Sequence, residues 1–268
     1  MKPTGLTAEQ KQFYAENGYI LVKGVFTKEE AAAFRAEAHG LANRLQKIKN
    51  IDATWASVKN EDAAKKTVIY HCHDVQFYAA SFTRMVYDSR LTTLMADLIG
   101  PNVQLHHTKM FIKPPEKGSP FPMHQDYPYF PHQNHTMSAA IIHFDDAPLE
   151  KGCLRVVPGS HKLGPLEPDN KGDLSLSPEK YPIEGATPCP AEAGDVLFFN
   201  YLTIHGSGVN VSPEARTTVL IQFRDPTDRP LWRTHESRGQ GMMLAGIDPS
   251  CCTTQPLAEK RPMPAKAM

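Results

Sequence analysis

Residues 216–223 have the sequence RTTVLIQF, in which β-branched and apolar residues predominate. Such a composition is typical of a buried β-strand. Four other short apolar or alternating runs are bounded by Gly, Pro, Asp and Asn, and they occupy residues 103–112, 137–144, 154–157 and 196–199. This spacing predicts an antiparallel sandwich or jelly roll, whose ligand sites lie at the mouth between the two sheets.

The first hundred residues carry helix signals instead. Thr7 and Thr27 are each followed three residues later by Gln or Glu, which is the pattern of a capping box. A further helix is predicted over residues 89–99, because its apolar residues share one side and Gly100-Pro101 ends it. We expect these helices to pack against one sheet.

Length and composition fit one domain of residues 1–268, since 41% of the 268 residues are hydrophobic. The predicted class is mainly β with flanking helices (α+β), with a double-stranded β-helix, or jelly-roll, core resembling a cupin. Helical support occupies residues 1–100, the jelly-roll core residues 101–225, and a C-terminal extension residues 226–268. The extension is proline-rich and weakly periodic, so its last dozen residues are expected to be disordered.

The motif His124-Gln125-Asp126 predicts a metal site. On an extended segment, His124 and Asp126 point the same way because side chains alternate with period two. His205 lies far along the chain and must be brought alongside by the fold. Two histidines and one carboxylate leave three metal positions open, the arrangement associated with non-haem Fe(II) oxygenases. Those positions can take a bidentate cosubstrate and O2.

Arg216, at the start of the strand-like run, predicts the cosubstrate. A buried arginine needs a partner. The guanidinium fork matches a carboxylate, so the far carboxylate of 2-oxoglutarate suits Arg216 while the keto acid chelates iron. The hydroxyl of Ser207 can add a hydrogen bond to that carboxylate.

Six short motifs follow one another across roughly residues 100–225. They are PMHQD at 122–126, YFP at 129–131, GCL at 152–154, PGSHK at 158–162, GDV at 194–196 and HGSG at 205–208. In this order they resemble the phytanoyl-CoA dioxygenase family of Fe(II)/2-oxoglutarate-dependent oxygenases. Residues 14–22 also resemble that family's opening helix and strand, so the resemblance covers nearly the whole chain except its tail.

The resemblance implies His124, Asp126 and His205 as iron ligands, with Arg216 and Ser207 at 2-oxoglutarate. It also places Lys109 near a strand position that adds a cosubstrate contact. Many members carry a tryptophan beside the cosubstrate where this chain has Ile141, so the contact there is expected to be apolar.

Other residues are weaker candidates. Tyr127, Tyr129 and Phe130 follow the metal motif and are predicted to wall the substrate pocket, although aromatic core packing is an equal alternative. Seven of the 12 histidines are further candidates to line the cavity, although a structural role is more common: His71, His73, His106, His107, His132, His135 and His143. The neighbours His106 and His107 are expected to face opposite sides of their strand.

Charge and cysteine content argue against several classes of protein. Lys plus Arg and Asp plus Glu both number 29, so no net charge attracts nucleic acid or an anionic membrane. The five cysteines lack CxxC spacing, which argues against a disulfide framework or zinc ribbon and predicts a cytoplasmic protein. The sequence has no apolar run long enough to predict a membrane span. The sequence leaves oligomeric state open.

The predicted activity is C–H hydroxylation of a small organic substrate, a natural product or metabolite, coupled to conversion of 2-oxoglutarate to succinate and CO2. One alternative is an acyl-CoA hydroxylase whose basic residues between 44 and 66 contact coenzyme A phosphates, although a solvated helix face or loop is the more common explanation of such residues. A second is a zinc or manganese cupin without 2-oxoglutarate, which Arg216 disfavours. A third is a silent binding module, which the intact ligand set disfavours.

Overall fold

A computed structural model describes residues 4–47, 70–115 and 120–250 of the chain. The helices in these ranges are α1 (Ala8–Asn17), α2 (Lys28–Lys47), α3 (Ala80–Val86) and α4 (Ser89–Ile99). The helix predicted over residues 89–99 is therefore confirmed. Both predicted capping boxes are also formed, because Thr7 and Thr27 exchange hydrogen bonds with Gln10 and Glu30.

The described strands form two antiparallel sheets. In chain order they are β1 (Tyr19–Val22), β2 (Tyr70–His73), β3 (Val103–Lys113), β4 (Phe121–His124), β5 (Ser138–His143), β6 (Leu154–Val156), β7 (Thr187–Cys189), β8 (Val196–Asn200), β9 (His205–Ser207), β10 (Arg216–Arg224) and β11 (Met243–Ala245). The major sheet has the order β1-β8-β5-β10-β3-β11, with β2 also paired to β3, and the minor sheet has the order β4-β9-β6-β7. This is the predicted mainly β fold with a jelly-roll core.

Each face of the major sheet has its own core. On β5, Ala140 and Ile142 pack with the helices, whereas Ala139 and Ile141 pack between the sheets against Leu154 of β6. This alternation is what a strand buried on both sides requires. The helices therefore close one face, and the inter-sheet space is left for the site.

Strand β3 contains a β-bulge that changes its alternation. Gln222 pairs with His107 while the next residue of β10, Phe223, pairs with Leu105, so His106 is the extra residue. An extra residue re-aims its neighbours. The rings of His106 and His107 consequently meet, with centroids 5.0 Å apart and Nδ1 atoms 2.7 Å apart. The prediction that they face opposite sides of the strand is wrong for this reason.

The chain beyond residue 225 is packed onto the sheet. Strand β11 pairs with β3, and Pro230 forms an isolated bridge with His132. The last dozen residues, predicted to be disordered, lie outside the described residues, as does most of the basic segment from 44 to 66. Among the described residues, Cys72, Cys153 and Cys189 are free thiols. None of the described helices is long and apolar enough to cross a membrane.

Candidate active site

The three predicted metal ligands converge at one end of the inter-sheet space. Strand β4 ends at His124, which pairs with His205 at the start of β9, and the two rings lie 4.3 Å apart between centroids. The Oδ1 atom of Asp126 lies 3.6 Å from Nε2 of His124 and 3.8 Å from Nε2 of His205. One ligand atom from each residue falls within 4.8 Å of the others.

Asp126 reaches this position from a turn. The chain leaves β4 after His124, and Asp126 has helical φ and ψ angles of −74° and −24° at the start of a short 3₁₀ turn. Its backbone N–H donates a 2.9 Å hydrogen bond to the carbonyl of Tyr201, which fixes the turn. Alternation along an extended segment is therefore the wrong reason for the convergence of His124 and Asp126.

Backbone carbonyls orient both imidazoles. Nδ1 of His124 lies 2.8 Å from the carbonyl oxygen of Pro122, and Nδ1 of His205 lies 3.0 Å from that of Thr203. Because a carbonyl only accepts, each Nδ1 carries the hydrogen, and each neutral ring presents a bare Nε2. Burial, and then the neighbouring His124, lower the pKa of His205 to about 4, which keeps its ring neutral at pH 7.

The carboxylate of Asp126 is buried and ionised. Burial works to raise its pKa, but the imidazoles of His205 and His124, and then Lys109, lower it below the usual value. Its Oδ2 atom has no hydrogen-bond partner among the described residues. A buried carboxylate oxygen without a partner is costly. A divalent metal held by this oxygen-and-nitrogen set would remove that cost, so the residues fit Fe(II).

Arg216 and Ser207 meet at the other end of the space, together with Lys113. Arg216 is 3% exposed, and its guanidinium donates to the carbonyl of Gly152, whereas its Nε has no partner among the described residues. Lys113 is the cross-strand neighbour of Arg216, and its Nζ donates to Ser207 Oγ at 2.8 Å and to the Gly208 carbonyl at 2.5 Å.

These two cations disfavour each other. Burial, followed by the charge of Arg216, lowers the pKa of Lys113 well below its usual value. Burial also lowers the pKa of Arg216 to about 10. No carboxylate of the described chain forms an ion pair with either group within 4.0 Å. The chemistry of this end therefore suits a carboxylate supplied by a ligand.

Lys109 is nearer the metal ligands than Arg216 is. It lies four residues before Lys113 on β3, about 13 Å along an extended strand. Its cross-strand partner is Leu220, and Asp126 is the charge that works to raise its pKa, although burial lowers that pKa to about 8. The predicted cosubstrate contact by Lys109 stays a prediction. Lys113 was missed, although its spacing from Lys109 places both on one face.

A cavity with about 810 Å³ of empty space, open solvent at its mouth included, is lined by the three metal ligands and by Lys109, Ser207 and Arg216. Lys113 is not among its lining residues. Ile141 and its cross-strand partner Leu220 line the cavity and make this part of it apolar, while the apolar contact of Ile141 with the cosubstrate stays a prediction. The lining residues are His107, Lys109, Phe111, Phe121, His124, Asp126, Tyr129, Phe130, Ile141, Leu154, His205, Gly206, Ser207, Arg216, Thr218, Leu220 and His235.

Of the three aromatic residues predicted to wall the substrate pocket, two line the cavity and one does not. Tyr129 and Phe130 line the cavity, and the hydroxyl of Tyr129 donates to the carbonyl of Asp173 at 2.5 Å. Tyr127 is absent from the lining and instead packs against His135 and Tyr201, with centroids 5.6 and 5.7 Å away. The prediction for Tyr127 is wrong because the 3₁₀ turn after Asp126 directs its ring into that aromatic cluster.

Two histidines besides the metal ligands line the cavity, and only one of them was predicted from the sequence. His107 is one of the predicted candidates and does line the cavity, whereas the other six candidates are not among its lining residues. His235 was missed because it lies in the weakly periodic segment after residue 225, which carries no motif. Only the fold brings that segment to the cavity.

Comparisons with known proteins agree with this site. The family model described as phytanoyl-CoA dioxygenase matches residues 14–218. A probable phytanoyl-CoA dioxygenase of Caenorhabditis elegans is 31% identical over 241 residues, covering 81% of this chain and 75% of that protein. A probable alpha-ketoglutarate-dependent hypophosphite dioxygenase of Stutzerimonas stutzeri is 26% identical over 233 residues, covering 84% and 80%.

A solved structure gives the same result. The non-haem alpha-ketoglutarate-dependent epimerase SnoN from nogalamycin biosynthesis superposes with a TM-score of 0.67 at 25% identity, covering 82% of this chain and 83% of that one. The matched family uses Fe(II), 2-oxoglutarate and O2. This agrees with the set of three metal ligands and with the Arg216 end of the cavity, whose chemistry suits a carboxylate. The chain belongs to the phytanoyl-CoA dioxygenase family of Fe(II)/2-oxoglutarate-dependent oxygenases.

Proposed function

We propose that His124, Asp126 and His205 bind the Fe(II) of this oxygenase. The observation that carries the assignment is the convergence of two Nε2 atoms on a buried carboxylate whose Oδ2 has no partner among the described residues. Loss of any one ligand removes a third of the protein donors and should weaken iron binding. Tyr129 and Phe130 line the cavity beside these groups.

The distal carboxylate of 2-oxoglutarate is assigned to Arg216, Lys113 and Ser207. The buried Lys113 amine and the Arg216 guanidinium have no carboxylate partner among the described residues. A carboxylate bound between them would favour protonation of Lys113 and pair with both groups. The free Nε of Arg216 and the hydroxyl of Ser207 can both donate to it. Ile141 and Leu220 pack along the apolar middle of such a molecule.

When bound, iron, 2-oxoglutarate and O2 supply the oxidising power for C–H hydroxylation, with succinate and CO2 as coproducts. The residues of this chain hold the reactants in place. The carbonyls of Pro122 and Thr203 fix the imidazole planes, and the positive end fixes the direction of the cosubstrate. Positioning of this kind accounts for a large part of enzymatic rate enhancement.

A small metabolite is the proposed substrate, and the whole chain is proposed to act as one catalytic domain. The relative named for hypophosphite supports a small molecule. An acyl-CoA is the second candidate, because the Caenorhabditis elegans relative is named for phytanoyl-CoA. Of the basic residues proposed to contact its phosphates, Lys47 is exposed at the end of α2, and Lys49, Lys65 and Lys66 lie outside the described residues.

The test is an anaerobic titration of Fe(II) and 2-oxoglutarate into metal-free protein, followed through the visible charge-transfer band of the chelated keto acid. We expect the band in the wild type and in the control His161→Gln, which alters an imidazole outside the cavity. His124→Ala should abolish it. A wild type without the band, or a band unchanged in His124→Ala, would overturn the assignment and favour another metal or a silent binding module.

A further inference from the structure

Five histidines cluster at the end of the cavity opposite Arg216. We call this cluster the histidine wall; its members are His73, His106, His107, His132 and His235. Ring centroids of His107 and His235 lie 4.2 Å apart, and those of His106 and His132 lie 5.5 Å apart. Phe130 packs against the wall, 4.9 Å from His106. The proposed function gives no task to this cluster.

Two irregular features build the wall. The bulge on β3 supplies His106 and His107 from adjacent positions. His235 has a φ angle of 47°, a left-handed conformation that is uncommon outside glycine, so the surrounding structure must hold it there. The carbonyl of Arg238 accepts a 3.0 Å hydrogen bond from the Gln76 side chain, which fixes the chain just after His235.

The wall presents hydrogen-bonding groups to the cavity. His107 and His235 line it, and Nε2 of His235 is buried without a partner among the described residues. Burial, and then Lys109, lower the pKa of His235 to about 4, so its neutral ring keeps one N–H to donate. Lys109 lines the same part of the cavity, and Asp126, the one acidic lining residue, is committed to the metal.

These groups discriminate among ligand classes. An apolar group against the wall would leave the buried Nε2 of His235 without a hydrogen-bond partner, which is unfavourable. A cationic group would meet the ammonium of Lys109. Within the described residues, the ligand atoms of His124, Asp126 and His205 are the one group of three or more close enough to hold a metal, so the wall is not a second metal site. An oxyanion can accept a hydrogen bond from His235 and is attracted by the positive charge of Lys109 in the same cavity.

We propose that the histidine wall binds an oxyanion group of the substrate, a carboxylate or a phosphate-type group, through His235, His107 and Lys109. This inference rests on the proposed function, because the wall gains its meaning from the iron beside it. Lys109 lies two residues after His107 on β3, lines the same cavity and interacts electrostatically with the metal ligand Asp126. The substrate is thus a small anion that is oxidised close to its charged end.

The experiment follows side-chain ¹⁵N resonances of the histidines in metal-free protein during titration with acetate, inorganic phosphate or methylphosphonate. We expect saturable shifts of His235 and His107. His235→Gln and Lys109→Met should each weaken binding about tenfold, in line with a hydrogen bond to a charged group, whereas His161→Gln should not. The tighter probe identifies the carboxylate or the phosphate class.

Arg216→Ala separates the two anion-binding ends. Shifts that persist in this variant belong to the wall, whereas shifts that vanish come from the cosubstrate end and overturn the inference. The same probes are then added to protein loaded anaerobically with Fe(II) and 2-oxoglutarate. If the charge-transfer band forms but the His235 resonance does not shift, the proposed substrate site is wrong and the proposed function stands. If the band is absent, the proposed function is wrong, and the titration of metal-free protein still decides whether the histidine wall binds an oxyanion.

Discussion

The two ends of the cavity are built in opposite ways. At the cosubstrate end, Arg216, Lys113 and Ser207 stand on regular strands, and antiparallel register sets Arg216 directly opposite Lys113. At the histidine wall, a bulge and a left-handed residue in an irregular segment place His107 and His235. One end is charged and the other consists of neutral imidazoles. Regular strand pairing thus places the residues proposed to bind 2-oxoglutarate, and irregular backbone places the residues proposed to bind the substrate.

Replacing the anchoring guanidinium should separate the two ends most sharply. We expect Arg216→Ala to raise the KM for 2-oxoglutarate by roughly a hundredfold or more, since breaking a buried ion pair costs about 3–5 kcal/mol. Arg216→Lys keeps the charge without the fork, so its KM should be intermediate. Steady-state consumption of 2-oxoglutarate measures both. An unchanged KM in a folded Arg216→Ala protein would place the cosubstrate elsewhere.

Lys113→Met tests whether the second cation takes part. Methionine fills similar space. We expect the KM for 2-oxoglutarate to rise about tenfold, as for the loss of a charge-assisted hydrogen bond, while kcat changes little. The free energy of unfolding without ligand should change little, because relief of the desolvated amine beside Arg216 offsets the loss of its hydrogen bonds to Ser207 and Gly208. Lys23→Met, at an exposed site, is the control. A less stable protein with an unchanged KM would make Lys113 purely structural.

Acid should destabilise the protein through the histidine wall, a smaller effect. Burial lowers the pKa of His132 to about 4, although its bond to the Phe130 carbonyl opposes this, whereas an unfolded histidine titrates near 6.5. Between these values the unfolded chain binds the proton and the folded chain does not. The free energy of unfolding therefore falls as pH drops from about 6.5 toward 4, by up to about 1.4 kcal/mol per pH unit for each such group.

Denaturant unfolding of metal-free protein between pH 4 and 8 measures this slope. His132→Gln should flatten it by about one proton's contribution. His161→Gln should flatten it less, because that ring is more exposed and its pKa is lowered less. Equal slopes in wild type and His132→Gln would mean that the ring titrates alike in both states.

The predictable parts of the molecule follow from local chemistry. The capping boxes at Thr7 and Thr27 depend on side chains three residues apart, and long strands such as β10 have continuous apolar runs. The order of His124, Asp126, His205 and Arg216 carries its chemistry in residue type, so their convergence could be expected. Strands β6, β7, β9 and β11 have three residues each, and of these four only β6 was predicted, because its apolar run continues to residue 157.

Other features depend on tertiary structure that no local pattern reports. The turn that carries Asp126 and turns Tyr127 away from the cavity is held by the distant carbonyl of Tyr201. The bulge at His106 exists only in relation to β10. His235 reaches the cavity because its segment lies beside β3. Each depends on pairing between residues far apart in the chain.

The facing cations Lys113 and Arg216 link the lifetime of the protein to metabolism. A ligand that binds only the folded state stabilises it by an amount that grows with concentration, about 2.7 kcal/mol at a hundredfold excess over its Kd. With 2-oxoglutarate as that ligand, the folded fraction, and with it resistance to proteolysis, rises and falls with the 2-oxoglutarate pool. The cosubstrate would then govern enzyme abundance as well as turnover.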